Sequence, residues 1–84
     1  MASSEIRTAR KTAAAAVRKN AAKANGWSSE EILVGYQLSV CVVLASAGSY
    51  RAACEFADSC GWVGTGHDFD EMASELYEGY GIRF

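Results

Sequence analysis

The chain of 84 residues has no proline, a single histidine and only three cysteines. Without proline, nothing covalent interrupts a helix interior. The lone histidine, His67, rules out an H-x3-H zinc pair, and no C-x2-C pair replaces it. Cys54, Cys60 and His67 follow a C-x5-C-x6-H spacing that lacks either of these nucleating pairs. Residues six apart do not share a helix face, so Cys54 and Cys60 meet only if a helix ends between them. An odd cysteine count in a short chain is not a disulfide framework. Cys41 sits in an apolar run and reads as a small buried hydrophobe. No metal and no cofactor are expected, and free thiols point to the cytoplasm.

Catalytic signals are also missing. His67 is the only base available to activate Cys54 or Cys60, and no third group is placed to orient it. The acids near the C-terminus have no cavity in which to act as an acid/base pair. Gly61, Gly64 and Gly66 resemble a phosphate loop in composition only. No lysine follows them, and Asp68 would repel phosphate at the next helix start. The chain is read as a binding protein, not an enzyme.

Long uncharged stretches are scarce too. The one candidate, Ile32–Gly48, spans 17 residues, at the short limit for a membrane helix. It contains Gly35, Gln37, Ser39 and Ser46 and lacks adjacent basic flanks. Ala45-Ser46-Ala47 looks like a leader cleavage site, but Glu30 and Glu31 abut the apolar run. A buried core helix is expected there, with no membrane partner. A strand over Leu38–Ala45 is the competing reading, and no second strand is visible to pair with it.

The chain does have helix formers. Half of its residues are hydrophobic and 15 are alanine. One all-α domain over residues 1–84 is expected, with helices at about 4–24, 28–47, 49–60 and 68–78. The first is alanine-rich and basic. Ile6, Ala13, Val17 and Ala24 share a narrow stripe on it, and Asn25-Gly26 supplies a left-handed stop. The second opens with a capping box, Ser28 to Glu31, and a staple between Trp27 and Ile32. Ile32, Leu33, Tyr36, Val40, Val43, Leu44 and Ala47 form one of its faces, and apolar residues cover much of the rest. The third turns Tyr50, Ala53, Cys54, Phe56 and Ala57 inward, and a loop over 62–67 follows it. The fourth starts with a second capping box, Asp68 to Glu71, and stops at Gly79. Its inner side carries Phe69, Met72, Ala73, Leu76, Tyr77 and Tyr80. The aromatic tail after it is expected to dock on the core.

Net charge is −2, but the charge is divided. Residues 1–25 carry six bases against Glu5, and residues 26–84 carry nine acids against Arg51 and Arg83. The two signs either neutralise each other, within the fold or across a homodimer, or each waits for a partner. On the fourth helix Asp68, Glu71, Glu75 and Glu78 recur at steps of three, four and three. This makes a carboxylate stripe with neighbours about 5–6 Å apart. Glu55 and Asp58 on the third helix extend the acidic surface. No lysine stands four residues from any acid of the stripe. A row of this kind is spaced comparably to the phosphates of a nucleic-acid strand, and it suits a basic groove on a nucleic-acid-binding protein.

In size, acidity and want of catalytic motifs the chain resembles phage-encoded inhibitors such as anti-CRISPR proteins. The likeness is one of type and carries over no residues. It implies an inhibitor that mimics nucleic acid. Two alternatives stand beside it. Arg7, Arg10, Lys11, Arg18 and Lys19 on the first helix would bind nucleic acid directly. That helix has no aromatic for stacking, and a helix-turn-helix reading of the third and fourth helices would put an acidic helix against DNA. Alternatively the basic helix of one copy meets the acidic face of another, giving a self-associating module.

Overall fold

The computed structural model describes residues 3–24, 26–62 and 67–84. Asn25, the expected stop, and residues 63–66 of the expected glycine loop lie outside the described residues, as does the side chain of Ala24. Four helices account for most of the rest: α1 (Ser3–Ala24), α2 (Ser29–Ser46), α3 (Tyr50–Ser59) and α4 (Phe69–Tyr80). No strand occurs among the described residues, and Leu38–Ala45 is helical throughout.

α2 is the hub because it is apolar almost all round. Its residues 38–42, 44 and 45 are buried, and α1, α3 and α4 all pack against it. It is the one described helix long and apolar enough to cross a membrane. In this fold that apolar surface is used to hold three neighbours. The capping box is formed in full: Ser28 Oγ accepts from the Glu31 N–H, and Glu31 Oε1 accepts from the Ser28 N–H. Trp27 has a partner outside the expected staple. Its ring meets Tyr80 edge-on with centroids 5.2 Å apart, and Ile32 stays 40% exposed. α4 supplies a larger aromatic surface than Ile32 does, and Trp27 turns to it.

α1 lies along α2 on a seam of small side chains. Ala9, Ala13 and Val17 are buried and Ile6 is half-buried. Ala9, which the stripe omits, is as deeply placed as the others. Two alanines and one valine bury little area, so α1 is held by close approach more than by bulk. Glu5 at its start accepts a hydrogen bond from Ser49 Oγ at 3.0 Å.

α3 buries Ala52 and Ala53 in a cluster with Val40, Leu44 and Ala45 of α2, and Ala57 is buried as well. Tyr50 is 61% exposed, contrary to its expected inward place. It occupies the first turn of a short helix and leans on Phe69 with ring centroids 6.3 Å apart. On α4, Leu76 is buried and Met72, Ala73 and Tyr80 are half-buried. Tyr77 is exposed instead, with the Arg83 guanidinium 4.4 Å from its ring centroid. It lies about a quarter-turn from the centre of the buried side, at the edge of the apolar stripe.

Both ends of α4 differ from expectation. Asp68 accepts from the Glu71 N–H at 3.0 Å, and the return bond from Asp68 N–H to the Glu71 carboxylate is not formed. The helix runs through Gly79 and stops at Gly81, whose φ of 69° is left-handed. The two extra residues carry Tyr80 onto Gly35 of α2. Beyond it Ile82 returns to the core and is only 2% exposed. It joins Val17, Leu38, Val42 and Leu76 in a second cluster, and Tyr36 packs against both this and the α1–α2–α3 cluster.

Candidate interaction surfaces

α4 turns one side to α2, which fixes where its acids point. Asp68, Glu71, Glu75 and Glu78 are all exposed, and so is Asp70. The four acids read from spacing are thus exposed together, while Asp70 lies apart from their stripe, about 80° round the helix from Glu78. Among the described residues none of these five carboxylates forms an ion pair. Glu55 and Asp58 differ. Glu55 meets Arg51 one turn away at 3.5 Å, and Asp58 Oδ1 lies 2.9 Å from His67 Nε2. Both acids of α3 therefore have a local base, while the acids of α4 do not.

The Asp58–His67 contact is one that spacing could not reveal. The His67 side chain is only 9% exposed, and its ring sits 6.1 Å from that of Phe69. It ties the end of α3 to the approach to α4. Asp58 is thereby the third group that a cysteine–histidine pair would need. Cys54 lines the same open hollow as His67, yet no hydrogen bond joins thiol and imidazole. Cys41 is fully buried, and burial pushes its thiol up to about 12. Cys60 is raised as well, chiefly by burial. Neither environment favours a thiolate nucleophile. The described residues hold no group of three or more His, Cys, Asp or Glu placed to share a metal ion.

The basic residues of α1 do not all lie on one face. Arg7, Arg10 and Lys11 line a hollow with Ile6, Ala14 and Tyr36. Arg18 lines a second hollow of about 480 Å³, with Ala14, Tyr36, Ile32 and Leu33 among its walls. Ala14 and Tyr36 belong to both, so the two run together along the α1–α2 seam. Lys19 lies outside them, about 100° further round the helix than Arg18. Arg10 also lies over the Phe56 ring, 5.9 Å from its centroid.

The apolar floor of this groove escapes a reading by periodicity. Ile32 and Leu33 belong to the stripe that holds Val40 and Leu44, yet they are 40% and 53% exposed. The signal was helix length. α2 spans about 27 Å and α3 only about 15 Å, so α3 covers one end of the stripe and leaves the other open.

The two charged surfaces do not cancel. Among the described residues no base of α1 pairs with an acid of α4; Arg51 pairs with Glu55, and His67 lies within hydrogen-bond distance of Asp58. Comparison of the chain with protein-family models, with curated proteins and with solved structures gives no match.

Proposed function

We propose that the protein is a small non-enzymatic binder that uses the outer face of α4 to hold a basic protein partner. One observation carries this reading. Asp68, Asp70, Glu71, Glu75 and Glu78 stand exposed on one capped helix, and none of them is neutralised by a base among the described residues. Like charges at helical spacing oppose each other, and a cationic partner would relieve that repulsion. The helix is firmly held from behind by Leu76 and Tyr80, so its carboxylates are presented on a rigid support.

A partner groove built to take phosphates would accept such a row. Occupying it would exclude the nucleic acid, which is the action of a phage-type inhibitor. The test is affinity capture from the source cell, then rebinding with the purified partner in the presence of a duplex oligonucleotide. The expected partner is basic, and the duplex competes with this protein for it. A partner of neutral or acidic charge, or binding indifferent to the duplex, would overturn the reading.

A further inference from the structure

We propose that the groove between α1 and α2 docks an amphipathic helix with acidic flanks, supplied by a partner protein. The groove is the uncovered end of the α2 apolar stripe. Val40 and Leu44 lie beneath α3, and the same stripe then runs on through half-buried Tyr36 to Leu33 and Ile32, which are exposed. Ala14 and Ala21 of α1 form the facing wall, and their small side chains let another backbone come close. From Ile6 to Ala21 the groove is about 22 Å long, room for four turns of helix.

Charge selects the occupant. Arg7, Lys11 and Arg18 share the outer side of α1 along the groove, and none of them forms an ion pair among the described residues. A helix with apolar residues at i, i+3, i+4 and i+7 fills the floor, and carboxylates beside that seam reach the three bases. A second copy fits less well. Two such grooves face to face bring the bases of both copies together. An α4 helix from another copy presents mainly carboxylates, with Tyr77 its large exposed apolar side chain. Duplex phosphates would satisfy the bases and leave Ile32 and Leu33 in water. A flat anionic bilayer does not reach the floor of a groove. The proposal shares no residue with the α4 face and stands or falls separately from it.

The test uses the full chain and a fluorescein-labelled designed peptide of about four to five turns, with a leucine seam and glutamate flanks. Fluorescence anisotropy should show saturable, micromolar binding that weakens with salt. The same peptide with lysine in place of glutamate should bind at least tenfold more weakly. Because that swap leaves the protein untouched, folding cannot explain it. I32S/L33S and K11E/R18E, checked for native circular dichroism, should each weaken binding at least tenfold. No saturable binding, equal binding of the lysine peptide, or indifference to I32S/L33S would overturn the proposal. So would binding of a labelled duplex or of anionic vesicles in preference to the peptide, or dimerisation in light scattering that I32S/L33S abolishes.

Discussion

Tyr80 of α4 lies so close to Gly35 of α2 that a Cβ at position 35 would stand 3.2 Å from its Cδ1. Trp27 closes on the same tyrosine, with ring centroids 5.2 Å apart, so the ring has little room to retreat. Glycine inside a helix ordinarily costs up to about 1 kcal/mol against alanine. Here the absent methyl makes space for an aromatic ring that fastens α4 to α2.

Gly35→Ala is therefore expected to destabilise, because overpacking costs about 1–3 kcal/mol and outweighs the helix-propensity gain. Gly79→Ala is the matched control. A Cβ there meets nothing within 4 Å, and the substitution should stabilise by about 0.5–1 kcal/mol. Urea denaturation of both variants checks the pair. A gain in both would show that Tyr80 is not confined.

Leu44 and Leu33 share a stripe on α2 but not an environment, being 1% and 53% exposed. Leu44→Ala should cost about 2–5 kcal/mol, as buried leucine truncations do. Leu33→Ser should stay within about 0.5 kcal/mol, as exposed substitutions do. Equal losses in thermal or urea denaturation would mean that α2 is covered along its whole length.

The Glu31 carboxylate lies below its ordinary 4.5, first because the Ser28 N–H donates to it and second through the Ser28 side chain. A lowered folded-state pKa adds stability that is present above the unfolded value and lost as pH falls through the folded one. Wild type should accordingly lose resistance to urea as pH drops below about 4.5. Glu31→Gln keeps an acceptor and removes the titration, so it should lose less over the same interval. Identical pH slopes would contradict the assignment.

Cys41 is fully buried with its thiol raised to about 12, whereas Cys54 and Cys60 are half-buried. Native protein should release two thiols readily to a disulfide reagent and the third only on unfolding. The raised pKa stabilises the fold fully below about pH 9 and less as pH climbs towards 12. Rapid labelling of Cys41 in native protein would contradict its place beneath α3.

The parts of the fold legible in the sequence were those written in local chemistry. The Ser28–Glu31 box, the all-round apolarity of α2 and the acid spacing on α4 each depend on residues a few positions apart. The parts that were not legible depend on where elements end relative to one another. Ile32 and Leu33 look like core until α3 proves too short to cover them. Gly79 looks like a stop until Tyr80 is needed against Gly35. Asp58 looks like a free acid until His67, nine residues on, arrives beside it. The two candidate surfaces were legible as two charges, but not as a convex acidic helix and a concave, apolar-floored basic groove.

The most direct measurement is the affinity of the captured partner for wild type and for E71K/E75K/E78K, by calorimetry at about 0.15 M salt, where surface charges are partly screened. All three positions are exposed, so the fold should survive the change. If the outer face of α4 is the recognition surface, affinity falls at least tenfold, and wild-type binding weakens steadily with added salt. Affinity unchanged by the triple reversal would show that the partner is held elsewhere, and the acidic-face account would be wrong.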